Sequence, residues 1–224
     1  MEQKPEKREM LELRCEMYRF LSRLYILEVD TKLLGQLKEL EFPKTTSDDD
    51  WDEGYKLIGS YLREFDENVD VKAKLDDLAV DYADVFLAAG VAQGLAAFPY
   101  ESVYTSKKKL IMQEANEQVH MIYAEKGFIL SEDFPKGPED HIAAEMEFMA
   151  YLCEEAVAAL IQGDEERFKI NREEQKSFYK NHLRGWVPLF CQDVDKYAKT
   201  LFYKGVSKVT AGFIRWEDRH GLSD

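Results

Sequence analysis

Apolar residues recur along most of this chain at steps of three and four, the spacing that places them on one face of an α-helix. Over residues 6–28, Leu13, Met17, Phe20, Leu21, Leu24, Ile26 and Leu27 follow that period with Glu and Arg between them, which predicts an amphipathic helix. Val29, Asp30 and Thr31 break it, and Asp30 or Thr31 is suited to cap a short helix through Leu33, Leu34, Leu37 and Leu40. Phe42-Pro43 ends that helix. Ser47 and Asp48–Asp50 read as the N-cap and acidic first turn of a third, through Trp51, Tyr55, Ile58, Leu62 and Phe65. A fourth runs from Asp70 to about Ala88, with Leu75, Leu78, Ala79, Tyr82, Val85 and Phe86 inward.

Ala89, Gly90 and Gly94 then punctuate a small-residue loop, and Pro99 holds Phe98 extended. The helical period resumes from about Ser106 to Lys126, with Ile111, Ala115, Val119 and Ile122 on one face and Gly127 as C-cap. Residues 131–137 are the most linker-like in the chain. Pro138 suits a first helical position, Glu139 and Asp140 complement a positive helix end, and a long helix carries Ile142, Met146, Met149, Leu152, Ala156 and Leu160 to Gly163. Further helices span Asp164 to about Leu183, open at Pro188 through Phe190, Val194 and Tyr197, and end near Trp216. No alternating strand pattern and no internal repeat occurs. The expectation is an all-α protein: a single helical-bundle domain of about ten helices, its lobes (1–130 and 138–224) joined by a hinge at 131–137.

Composition narrows the function classes. A chain of 224 residues can bury roughly 70% of its unfolded surface, and 45% hydrophobic with 12% aromatic content is too apolar for a disordered protein. The net charge of −14 argues against a nucleic-acid partner, which requires a basic footprint. No apolar run approaches the roughly 20 residues of a membrane span, and the charged start of the chain lacks the apolar stretch of a signal peptide, so a cytoplasmic protein is expected. Cys15, Cys153 and Cys191 are far apart and odd in number, with no C-x-x-C, which favours buried reduced thiols over a zinc or redox site. His120, His141, His182 and His220 are isolated, and His141 with Glu145 lacks the second histidine of a zinc-protease helix. Nucleophile-elbow, phosphate-loop and dinucleotide-binding motifs are all absent, so no catalytic residue, metal ligand or cofactor is assigned.

Two segments concentrate residues that bind: Phe98–Tyr104 and Gly137–Ile142. Tyr100 and Tyr104 admit two readings, as cover for the core or as a platform that holds a peptide with large faces and hydroxyls. Glu101 and Ser102 are equally suited to cap the next helix, and Glu101 to pair with an arginine of a ligand. Asp140 and His141 read as a helix start or as the polar edge of a groove. Glu145 lies one turn from His141 on the apolar stripe of Ile142 and Met149, and an acid there is either paired or lines a cleft. The aromatic helix end from Gln175 to Pro188 reads as core and cap.

Three pieces in order then resemble the TorD/DmsD/NarJ family of redox-enzyme maturation chaperones, over roughly residues 10–215. They are Asp81–Leu87 (DYADVFL) followed by Pro99–Tyr104 (PYESVY); Pro138–His141 (PEDH) with Glu145 and Phe148; and Phe178, His182, Leu183, Trp186, Pro188 and Phe190. Where many members carry Glu before the proline, this chain has Gly137. The resemblance implies a cytoplasmic, non-enzymatic helical protein that binds the twin-arginine signal peptide and apo form of a molybdenum oxidoreductase subunit until its cofactor is inserted. It implies a monomer or a domain-swapped dimer hinged at 131–137, with no stable membrane insertion. The expected peptide site comprises Tyr82, Phe86, Pro99, Tyr100, Glu101, Ser102, Tyr104, Asp140, His141 and Glu145, the aromatics taking the apolar segment and Glu101, Asp140 and Glu145 facing the arginines. The alternatives are an adaptor that binds a folded redox-enzyme subunit and a nucleotide-responsive switch.

Overall fold

A computed structural model describes residues 3–43, 45–46, 48–65, 70–87, 89–90, 96–132 and 134–222 of the chain. Ser47, Ala88, Gly94 and Asp133, read above as a cap, a helix end, a loop glycine and a linker residue, lie outside the described residues. Among the described residues there are ten α-helices and no strand: α1 (Gln3–Ile26), α2 (Thr31–Glu39), α3 (Asp49–Arg63), α4 (Val71–Phe86), α5 (Glu101–Thr105), α6 (Glu114–Lys126), α7 (Ile142–Gln162), α8 (Glu165–Phe178), α9 (Val187–Tyr197) and α10 (Leu201–Glu217). The expected all-α class holds. A π-helical turn, Tyr179–Leu183, continues α8, and another, Asp218–Leu222, follows α10.

Of the two candidates for the α2 cap, Asp30 takes the role, and aspartates cap three further helices. Asp30, Asp48, Asp70 and Asp164 each accept a backbone N–H at the start of α2, α3, α4 and α8. Gly127 and Gly163 take left-handed φ values of 65° and 73° just past α6 and α7, a conformation that costs glycine little. Two expectations shift. The helix predicted from Ser106 starts only at Glu114, because Lys109 and Met112 adopt φ of 51° and 56° and break the run. Pro138 precedes its helix by four residues, since α7 is capped at His141.

Two compact units emerge, one of Met1–Ile26, Tyr100–Trp186 and Asp218–Asp224, the other of Leu27–Pro99 and Val187–Glu217. The expected lobes at 1–130 and 138–224 do not coincide with them, because pairing of distant helices joins both ends of the sequence. In the first unit α1 packs along α7. Helix α7 is apolar almost all round and buries Ile142, Met146, Phe148, Met149, Leu152 and Cys153, as a central helix must. Tyr18, Leu21 and Tyr25 of α1 are buried, and Ser22 Oγ donates to the Ala143 carbonyl at 2.9 Å, 121 residues away. The buried Gln175 of α8 accepts from Arg14 Nη1 at 2.7 Å and donates to the Leu152 carbonyl at 3.0 Å, tying α1, α7 and α8 together.

In the second unit α10 packs on α3 and α9. The approach of α3 to α10 depends on glycine. A Cβ on Gly54 would stand 2.7 Å from the Gly205 carbonyl oxygen, and one on Gly205 would stand 2.7 Å from that of Gly54. The start of α10 is held by Asp81 of α4, whose buried carboxylate accepts from the backbone N–H groups of Lys199 and Thr200 and from the Thr200 hydroxyl at 2.7–3.1 Å. Cys15, Cys153 and Cys191 are buried, and none of them is in a disulfide. Burial pushes the Cys191 thiol well above its ordinary range.

Gly54→Ala and Gly205→Ala each force two backbones apart and are expected to cost about 1–3 kcal/mol or more. Gly35→Ala, at an exposed site in α2 with open space around the added carbon, is expected to stabilise by up to about 1 kcal/mol. Urea unfolding midpoints at constant slope measure the contrast; similar midpoints for all three variants would show that the glycines are not what sets the α3–α10 approach.

Candidate functional site

The site grows from an extended residue beside a helix end. Tyr100, with φ −129° and ψ 130°, forms an isolated antiparallel bridge with His141. Glu101 N donates to the Asp140 carbonyl at 2.9 Å, and Ser102 N donates to Asp140 Oδ2 at 2.8 Å. Tyr100 gives α5 no side-chain cap, so a carboxylate from a distant segment supplies it, and its negative charge suits the positive helix end. His141 in turn caps α7, its Nδ1 accepting from Ala143 N at 3.1 Å. That bond requires Nδ1 to be unprotonated, and burial lowers the His141 pKa from 6.5 to about 4. The Tyr100 and His141 rings meet edge to face at 5.1 Å.

Behind this bridge lies a buried polar cluster. Glu101 Oε2 is 2.9 Å from Nδ1 of His182. Trp186 Nε1 donates to Glu145 Oε2 at 3.2 Å and also to the His182 carbonyl. The other Glu145 oxygen, Oε1, has no donor among the described residues. Burial, then the adjoining Glu101 carboxyl, pushes the Glu145 pKa well above the ordinary carboxylate range. Glu145 therefore holds its proton more tightly than an ordinary carboxyl, beside a second carboxyl that would otherwise repel it. Tyr123, also buried, is pushed well above its usual value, first by burial and then by Glu145. Trp186 stacks on Tyr104 at 5.6 Å, and His182 lies against Phe178 at 4.9 Å.

The structure thus brings together Tyr100, Glu101, Ser102, Asp140, His141 and Glu145, with Tyr104 on the same short helix. Tyr82 and Phe86 lie in the second unit, packed with Tyr203 in an aromatic cluster and only 4% and 3% exposed. Pro99 belongs to that unit too and is buried. One expectation requires correction. Glu101, Asp140 and Glu145 are 3%, 0% and 0% exposed, so they do not face arriving arginines in this conformation; they are committed to holding the loop and the helix starts. What stays partly open is Tyr100, Tyr104 and His141. The sequence reading assigned His182 and Trp186 to core and cap. Their spacing with Phe178 was visible, but not that they meet Glu101 and Glu145 across 81 and 41 residues. Among the described residues no group of three or more His, Cys, Asp or Glu is arranged to hold a metal, and no helix is long and apolar enough to cross a membrane.

The family model of the nitrate reductase delta subunit matches residues 47–192, which is most of the chain. The chain belongs to this family. The TorD chaperone of Vibrio cholerae is 26% identical over 220 residues, covering 95% of this chain and 93% of the relative. That of Vibrio atlanticus is 25% identical, covering 93% and 94%. A solved structure of an Archaeoglobus fulgidus protein assigned to redox enzyme maturation superposes with a TM-score of 0.52 at 19% identity, covering 91% and 94% of the two chains, which establishes the common fold. The chain is a TorD-family chaperone, and the relatives it matches are named as chaperones.

In this TorD-family chain Glu145 binds its proton more tightly folded than unfolded, so the stability it confers is present below pH 4.5 and is lost as pH rises toward its folded value. His141 acts oppositely: its depressed value gives stability that is lost as pH falls from about 6.5 through about 4. Glu145→Gln keeps a neutral donor and removes the first effect. The stability difference between the variant and the native chain is expected to grow with pH above 4.5, by at most about 1.4 kcal/mol per pH unit. Denaturant unfolding across pH 4–8 measures it; a constant difference would mean that Glu145 ionises normally.

Proposed function

We propose that the chain acts in the cytoplasm as a chaperone that binds the twin-arginine signal peptide and apo form of a molybdenum-containing oxidoreductase subunit, delaying export until the cofactor is inserted. The observation that carries this reading is the Tyr100–His141 bridge. It sets the partly exposed Tyr100, Tyr104 and His141 on a hydrogen-bonded support in a chain similar to TorD chaperones. Two tyrosine faces held by a prebuilt frame lose little entropy on binding an apolar segment. The −14 net charge favours encounter with a cationic peptide. Glu101, Ser102, Asp140 and Glu145 then serve the peptide indirectly, by fixing the frame. A domain-swapped dimer hinged at 131–137 would rebuild the same frame from Tyr100–Ser102 of one copy and Asp140–His141 of the other. The adaptor reading has one observation of its own: Leu110, Ile111 and Met112 are 57%, 45% and 64% exposed beside α6, an apolar strip for a folded partner.

Calorimetric titration of the purified chain with a twin-arginine signal peptide, beside a Lys-Lys control, tests the proposal. Micromolar binding is expected, weakened about tenfold in Tyr100→Ala with an unchanged circular dichroism spectrum. Asp140→Ala is expected to lower the melting temperature as well as the affinity, because it uncaps α5. Absence of binding to several such peptides would reject the signal-peptide reading and favour the adaptor.

A further inference from the structure

The first unit holds a cleft that none of the motif residues marks out. It measures about 410 Å³ and lies where α6, α7, α8 and the π-helical turn after α8 meet. Its floor is aromatic, formed by Phe148 and Phe178, which pack edge to face at 4.7 Å. Into it opens His182, whose side chain is only 5% exposed. Glu101 Oε2 engages Nδ1 of that ring at 2.9 Å, which leaves Nε2 as the ring nitrogen available to a ligand. In the tautomer that carries its proton on Nδ1, toward Glu101, Nε2 presents a lone pair to the cleft. A ligand donor entering the cleft can meet that lone pair.

The rim has the same bias toward donors. Glu125 and Glu174 stand on it, with the Asn181 and Ser177 side chains beside them. One cation already answers this rim: Lys126 Nζ pairs with Glu174 Oε2, both partly exposed. Such pairs are weak and exchangeable. An aromatic floor under several acceptors fits a flat cation with many N–H groups better than a compact ammonium.

We propose that this cleft is a subsite for a guanidinium group, taking an arginine side chain of the bound peptide. Phe178 and Phe148 supply the face, His182 Nε2 the acceptor, and Glu125 with Glu174 the countercharge. The inference rests on the peptide-binding reading above and adds to it the place where an arginine is read, since Glu101, Asp140 and Glu145 are closed off.

The test uses Ser177→Trp, which fills the mouth of the cleft from an exposed position, and Glu125→Gln, which removes one countercharge at an exposed position. Both are titrated with the twin-arginine peptide and its Lys-Lys counterpart, after thermal melts confirm an intact fold. The native chain is expected to prefer the arginine peptide by about tenfold or more, Ser177→Trp to lose that preference, and Glu125→Gln to reduce it. A preference retained in both variants, or equal binding of both peptides by the native chain, overturns the subsite while leaving peptide binding in place. If the native chain binds neither peptide, the reading of the previous subsection fails, and N-acetylarginine amide decides the subsite alone. Shifts of the His182 ring resonances on its addition, absent in Ser177→Trp, uphold the subsite; no shift overturns it.

Discussion

Asp140 caps a helix to which it does not belong, and the geometry of the site follows from that bond. The carboxylate reaches Ser102 N at the start of α5, 38 residues earlier in the chain, while the Asp140 carbonyl accepts from Glu101 N. These two bonds set Tyr100 opposite His141 and bring the Glu101 side chain to His182. A charged acceptor buried at 0% exposure makes a strong bond, but leaves a correspondingly large penalty if its partner is withdrawn. Such a bond ties the two segments together.

The second constraint is proton balance. Glu101, Glu145 and Asp140 are close enough to influence one another, and all are buried. Three ionised carboxylates facing one imidazole would be strongly repelled. Each carboxyl meets a different environment: the Ser102 backbone N–H for Asp140, His182 for Glu101, and a raised proton affinity for Glu145. Trp186 completes the arrangement with a donor that never ionises. Glu145 sits on the most apolar helix of the chain, so it is the acid for which neutrality is least costly.

Legibility in the sequence followed the range of the interactions involved. Helix periods and caps depend on residues within four positions, so α1 to α4 and the glycine ends of α6 and α7 could be read directly. The break at 106–113 could not, because Ser102 Oγ accepts from Gln113 N and closes that turn from 11 residues away. Of the candidate site, the meeting of Tyr100–Ser102 with Asp140–His141 was anticipated from residue type. The burial of their carboxylates was not. The spacing of Glu145 on an apolar stripe signalled a choice between pairing and lining a cleft, and only the position of Trp186, 41 residues on, decides it. The division into units was likewise hidden, since it depends on α1 lying against α7.

A chain carrying −14 charges thus presents, at the bridge, a surface without an exposed acid among the residues that build it. Net charge and local chemistry are separable. The overall field attracts a cation from a distance within the screening length, about 8–10 Å in ordinary salt. Contact then depends on tyrosine faces that carry no charge. Discrimination between arginine and lysine requires placed acceptors, because the two cations respond alike to a diffuse field. Placed acceptors survive only where something holds them, and in the first unit the candidate that is both held and open is the His182 ring, fixed on one nitrogen by Glu101 and open to the cleft at the other. The same carboxylate that closes the frame behind Tyr100 therefore sets the hydrogen-bonding state of the ring in the neighbouring cleft. This couples an aromatic surface to a polar pocket through one buried contact.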